Sequence, residues 1–141
     1  MQKRRLGRTG LQVSIIGFGG TWISQKSKNQ ALKVVRRAFD LGINYFDTAK
    51  LDGDSEEKIG EALKDVRDEC ILATKTASRT TGASLIDLKD SLHRLKTDWL
   101  GLVQLHGIDD LKTLRKAMGP GGSHLSCVKR HILKVWSTTL A

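Results

Sequence analysis

Three side chains able to move protons or stabilise charge recur at one phase of a repeating pattern. They are Asp47, Lys75 and His106, and each closes a short apolar run. A carboxylate, an amine and an imidazole on one rim can orient a polar substrate, polarise it and exchange protons with it. Singly, each has a plainer reading: Asp47 as a helix cap, Lys75 as a solvated cation, His106 as a structural imidazole. Their shared phase favours function. A glycine-rich turn, Gly17-Phe18-Gly19-Gly20-Thr21-Trp22, follows the first run. It begins like the dinucleotide-binding GxGxxG turn, but Trp22 holds the last glycine position. The next strand-end acid, Asp47, also lies about 30 residues on and not about 20. A tight turn needing small residues is preferred here to a phosphate cradle. Trp22 has two equal readings, against a ligand at the rim or packed within the loop.

The elements that must position these groups follow from spacing. Apolar runs start at Ser14, Ile43, Cys70 and Leu102, separated by 29, 27 and 32 residues. They are short and rich in branched or aromatic side chains, as buried parallel strands are. Helical patterns fill the gaps. Ser27 with Gln30 reads as a capping box, followed by a face of Leu32, Val35, Ala38 and Phe39 and a stop at Gly42. Asp54 with Glu57 repeats the box before Ile59, Ala62, Leu63 and Val66. Ser84 with Asp87 is a weaker third instance, with a face of Leu85, Leu88, Leu92 and Leu95. Ile108, Leu111, Leu114 and Met118 carry the fourth face, which ends at Gly119-Pro120-Gly121-Gly122. A hairpin is expected ahead of these, pairing Lys3–Leu6 with Leu11–Val13 around Gly7–Gly10. Four βα units imply right-handed crossovers and a parallel sheet, either half of an eight-unit barrel or an open doubly wound sheet.

Composition bounds the function. The chain has 141 residues, 39% hydrophobic and 28% charged, which is a globular and not a disordered profile. It is too short for a complete eight-fold barrel of about 250 residues. No apolar run reaches the roughly 18 residues of a membrane span. The basic start, Met1-Gln2-Lys3-Arg4-Arg5, has no apolar stretch after it, so no secretory signal is expected. Cys70 and Cys127 form no CxxC pair and read as free thiols in a reducing cytoplasm. The net charge of +9 is concentrated in residues 1–50, at a net of +8. Lys26, Lys28, Lys33, Arg36 and Arg37 fall in one helical stretch and read as its solvated face. With aromatics at only 5%, a nucleic-acid partner is not expected.

Longer segments carry a resemblance. Leu6-Gly7-Arg8-Thr9-Gly10-Leu11-Gln12-Val13-Ser14 with Ile16-Gly17-Phe18-Gly19 is similar to the opening of an aldo-keto reductase. Gly42-Ile43-Asn44-Tyr45-Phe46-Asp47-Thr48-Ala49, continuing to Gly53-Asp54-Ser55-Glu56 and Ile59-Gly60, resembles that family's second unit. Ala73-Thr74-Lys75 and Leu105-His106 match two later segments in order and spacing. The resemblance implies a (β/α)8 TIM-barrel fold, NADP(H), and reduction of a small aldehyde or ketone without metal or membrane. It implies Asp47, Lys75 and His106 as catalytic groups, and Gly20, Thr21, Trp22 and Asp47 near the cofactor.

Two departures qualify it. The family's proton-donating tyrosine falls at Asp52, and the only tyrosine, Tyr45, lies inside a strand. A carboxylate at 52 is charged at neutral pH. It is expected to pair with Lys75 and to repel a developing oxyanion. The resemblance also covers residues 3–118 only, so the chain reads as truncated after four βα units, with 119–141 a divergent basic tail. Val128, Ile132, Val135 and Trp136 would share a face if that tail were helical; a frameshifted segment is the other reading. His124, Cys127 and His131 are a weak metal set without a carboxylate. The first and fourth strands would be open edges, which favours self-association; a non-catalytic half-barrel acting through pairing is the alternative function.

Overall fold

The computed structural model of the protein describes residues 1–123. The metal and helix readings of 124–141 lie outside those residues. A hairpin of β1 (Lys3–Arg5) and β2 (Gln12–Ser14) opens the chain, paired Lys3 to Ser14 and Arg5 to Gln12, as the turn residues predict. Four parallel strands follow in the order β3 (Phe18–Gly19), β4 (Tyr45–Asp47), β5 (Ile71–Thr76) and β6 (Leu102–Leu105). Among the described residues the order never reverses, so they contain no switch point of the kind that marks a doubly wound sheet. A sequential arc of βα units is the barrel-type arrangement. The helices between and after the strands are α1 (Lys28–Asp40), α2 (Ser55–Leu63), α3 (Thr81–Arg94) and α4 (Leu111–Met118).

Local chemistry explains the boundaries. Ser27 and Gln30 form the expected capping box of α1, and Gly42, at φ +90°, ends it. The basic residues of α1 lie on its outer side: Lys28, Lys33 and Arg37 are exposed. Four expectations differ. The first strand forms at Phe18–Gly19 and not at Ser14–Gly17, because Ser14 is already committed to the hairpin; Ile15 and Ile16 are left exposed. Asp54 stands at the start of α2, but its carboxylate takes Lys58 in place of a backbone N–H. α3 begins at Thr81, capped by Thr80 through the Ala83 N–H, which places Ser84 in the buried interior. The apolar face of α4 is also turned outward: Leu111 is 68% exposed, and only Ala117 of the helix is buried. Among the described residues no element lies beyond β6 to receive that face.

The core fills the space between the sheet and the first three helices. Phe46, Leu72, Val35, Ile59, Leu63, Leu88, Leu95 and Leu100 are essentially inaccessible, and Phe18 packs on Phe46 with ring centroids 5.6 Å apart. At the amino ends of the strands, Asn44 fastens the hairpin. Its carboxamide accepts from the Ser14 N–H (2.7 Å) and donates to the Gln12 carbonyl (2.9 Å). Arg67 closes the same end, stacked 3.8 Å over Trp99 and donating to the carbonyls of Cys70 and Trp99. α2 and α3 touch through Gly60, where a Cβ would lie 2.6 Å from the Arg94 carbonyl oxygen and 2.6 Å from the Leu95 carbonyl carbon. Gly60→Ala should therefore overpack two backbones and lower stability by about 1–3 kcal/mol. The urea midpoint measures this, and an unchanged midpoint would show that α3 moves aside at no cost.

Candidate active site

The site grows from the register of the parallel ladder. Gly19 stands opposite Asp47, Asp47 opposite Ala73, and Lys75 opposite Gln104. Side chains alternate faces along a strand, so Asp47, Lys75 and Gln104 emerge on the same side, away from the helix-covered core. The Lys75 ammonium makes a close ion pair with Asp47 Oδ2 and donates to the Thr48 carbonyl at 2.9 Å. Gln104 Nε2 donates to Asp47 Oδ1 at 3.1 Å. Both carboxylate oxygens are thus occupied, while the Lys75 side chain keeps 20% of its surface accessible. The acid and amine expected from spacing are brought together. Gln104 was not expected as a site residue; its signal is a lone amide inside the run Leu102-Val103-Gln104-Leu105, at the phase of Lys75.

His106 follows β6. Its backbone N–H donates to the Thr76 carbonyl at 2.9 Å, and its own carbonyl takes the Arg79 guanidinium. The imidazole is half-buried, and its Nδ1 is buried with no hydrogen-bond partner among the described residues. Trp22 is 70% exposed and is not part of the core cluster.

Asp52 departs from expectation. It does not pair with Lys75; its Oδ2 accepts from the Thr21 hydroxyl at 3.2 Å. The reason is competition, since Asp47 already neutralises the ammonium in closer geometry. Asp52 is also held by its backbone, whose N–H donates to the Ala49 carbonyl and whose carbonyl accepts from Ser55. Tyr45, at the opposite end of β4 from Asp47, cannot replace a rim phenol. Burial, with the Asp47 charge second, pushes its hydroxyl up to about 12.

Gly20 is the close approach the turn requires. Its N–H donates to the Asp47 carbonyl at 2.7 Å, and a Cβ there would meet Ser55 Oγ at 2.7 Å. Ser55 donates to the Gly20 carbonyl (2.8 Å), so the Thr48 hydroxyl donates to Ser55 in turn (2.8 Å). A second cluster braces the rim. Asp87 accepts from Thr76 (2.6 Å), Ser78 (2.7 Å) and Lys50 (2.8 Å), and Lys50 also reaches Asp90 (2.7 Å). Burial works against the Asp87 charge, but hydrogen bonds from Lys50, Thr76 and Ser78 outweigh it and hold its carboxyl below the usual range. Among the described residues, no group of three His, Cys, Asp or Glu side chains is placed to hold a metal ion.

A sequential parallel arc of βα units with an acid, an amine and an imidazole near its carboxyl rim is the arrangement of part of a (β/α)8 barrel. Comparison with known proteins makes the assignment specific. The family model described as the aldo/keto reductase family matches residues 15–138, running past Met118 into the basic tail. An uncharacterized oxidoreductase of Bacillus subtilis, YqkF, is 40% identical over 121 residues, which cover 76% of this chain and 39% of that protein. The holo form of an aldo-keto reductase from Bacillus halodurans superposes with a TM-score of 0.72 at 36% identity, covering 83% of this chain and 45% of the other. An aldo-keto reductase from Klebsiella pneumoniae in complex with NADPH gives 0.66 at 27% identity, covering 77% and 41%. The chain belongs to the aldo/keto reductase family. It spans less than half the length of these relatives.

The single tyrosine makes one feature directly measurable. A phenol raised from about 10 to about 12 favours the folded state only while neutral. Its contribution is complete below about pH 10 and is lost as pH rises to about 12. The phenolate absorbance should therefore appear near pH 12 in folded protein and near pH 10 in urea. Equal midpoints would place Tyr45 in solvent.

Proposed function

We propose that this chain carries an NADP(H)-linked oxidoreductase site for small aldehydes or ketones, weakened in ordinary carbonyl reduction. The observation that carries this reading is the Asp47–Lys75–Gln104 cluster at the carboxyl rim, with Asp52 bound to Thr21 and not to the lysine. The residues present fit the nicotinamide end of the cofactor. Trp22 offers an exposed ring, Gly20 and Thr21 line the turn beside Asp47, and His106 Nδ1 is unpartnered. When bound, the nicotinamide supplies or accepts the hydride.

The chain's own groups then divide the remaining work. Asp47 holds Lys75 in place; the Lys75 ammonium and the His106 imidazole polarise and orient a carbonyl oxygen. No phenol stands ready to protonate that oxygen. Asp52 occupies the family's tyrosine position, and an ionised carboxylate there opposes the developing negative charge. Loss of a general acid costs about 10²–10⁴-fold in rate. We assign residues 1–118 to the barrel part. We also assign operation to the reducing cytoplasm without metal, where Cys70, its thiol pushed up to about 11 by burial, stays inert.

An NADPH titration followed by nicotinamide fluorescence, on protein shown by circular dichroism to be folded, should saturate. Asp52→Tyr should raise NADPH oxidation with an aldehyde panel by about 10²-fold or more. A folded chain that binds no nucleotide would sink the proposal. Binding without recovery in Asp52→Tyr would place the defect outside position 52.

The exposed edges favour a second reading, association with another chain. Ile15 and Ile16 beside β3 are half exposed, and Leu111 on α4 more so. Sedimentation at increasing concentration should show a dimer or larger species, whereas a monomer throughout would dismiss the pairing.

A further inference from the structure

Lys58 belongs to α2, and its side chain is only 6% exposed. It takes no part in the Asp47–Lys75 cluster. Its ammonium donates to three main-chain carbonyls, Ile23 (3.1 Å), Ser24 (3.1 Å) and Lys26 (2.8 Å), and pairs with Asp54 Oδ1 at 2.7 Å. All three carbonyls come from one short 3-10 turn, Thr21–Gln25, and the residue that follows it. The Ile23 carbonyl also accepts from the Lys26 N–H at 3.1 Å, whereas the carbonyls that follow in such a turn have no intrahelical partner. Here an ammonium from another element satisfies them together.

That turn presents Thr21 and Trp22 at the rim. It also supports the neighbouring loop, because Gly53, at φ +60°, brings its Cβ position within 3.2 Å of Ser24 Cβ. The loop holding Asp52 and the turn holding Thr21 therefore rest on one foundation. Three neutral carbonyls with one carboxylate match a single positive charge. Carbonyl oxygens are also the ligands that replace water around a potassium ion in selective channels.

We propose that Lys58 is the positioning residue of the Thr21–Trp22 turn, its ammonium serving as a built-in monovalent cation in a carbonyl cage. Removal of the side chain then leaves a cage that takes a potassium or ammonium ion. The link from this turn to nucleotide binding rests on the function proposed above; the cage itself does not.

The test compares Lys58→Ala with Lys58→Met, whose chain fills the cage without charge. Amide exchange at residues 21–26 is followed at equal ionic strength in tetramethylammonium, potassium or ammonium chloride. In tetramethylammonium both variants should exchange about ten-fold faster or more, the scale of a lost charged partner for buried carbonyls. Potassium or ammonium should restore Lys58→Ala and leave Lys58→Met unrestored. Unchanged exchange in a folded variant, or equal recovery in tetramethylammonium, overturns the proposal. If Lys58→Ala does not fold, Asp54→Asn weakens the same cage from outside; faster exchange confined to residues 21–26 supports the proposal and unaltered exchange overturns it. NADPH titration of the same samples separates the two readings. Nucleotide affinity that falls and recovers with potassium supports both. Exchange that recovers while nucleotide affinity never moves upholds the cage and counts against the nucleotide role of Thr21 and Trp22.

Discussion

The register of the parallel ladder is the constraint on which the rest of this structure depends. Parallel neighbours joined by right-handed crossovers must present their carboxyl ends on one side of the sheet. Here that brings the ends of β3, β4, β5 and β6 to a single rim. Within it, Lys75 opposite Gln104 and Asp47 opposite Ala73 put an ammonium, a carboxylate and a carboxamide within reach of each other. A slip of one residue would turn Lys75 toward the helices and exchange it with Thr74 or Thr76, both now buried. The hydrophobic contrast between Leu72, fully covered by helices, and Lys75, partly open, keeps the register where it is.

The first two turns of α2 translate that register into a fixed rim. Ser55 joins Gly20 and Thr48, Glu56 accepts from Thr74 at 2.6 Å, and Lys58 gathers the carbonyls of the neighbouring turn. Three consecutive strands are thus held from behind by one helix. Glu56 is the costly member. It is wholly buried, with Arg94 at 3.9 Å and Oε2 lacking a hydrogen bond among the described residues. Burying such a charge carries a desolvation penalty that a single weak ion pair does not cancel. The gain is placement, since Thr74 directly precedes Lys75.

On this scaffold the rim is chemically uneven. Asp47 and Lys75 form a close ion pair that Gln104 completes, and the His106 Nδ1 is buried without a hydrogen bond among the described residues. Asp52 accepts from the Thr21 hydroxyl on the adjacent loop and leaves the lysine to Asp47. The same division recurs in the outward stripe of α4. Its residues have the spacing of a buried face, but their surroundings decide that they are exposed.

Much of this molecule was legible in the chain because the controlling patterns are local. The capping box at Ser27 and the hairpin around Gly7–Gly10 each need only a short window, and each is found as read; Asp47 ends β4, Lys75 lies one residue before the end of β5 and His106 follows β6. Tertiary structure alone decided the rest, for a physical reason common to all of it. A charged or hydrogen-bonding side chain takes the best partner in three dimensions. Asp54 has the spacing of a cap and takes Lys58; Asp52 has the spacing to meet Lys75 and takes Thr21; Gln104 lies 57 residues from Asp47 and completes its coordination. Sequence periodicity determines which face a residue occupies, whereas the competition among partners across that face is resolved only when the strands and helices are assembled.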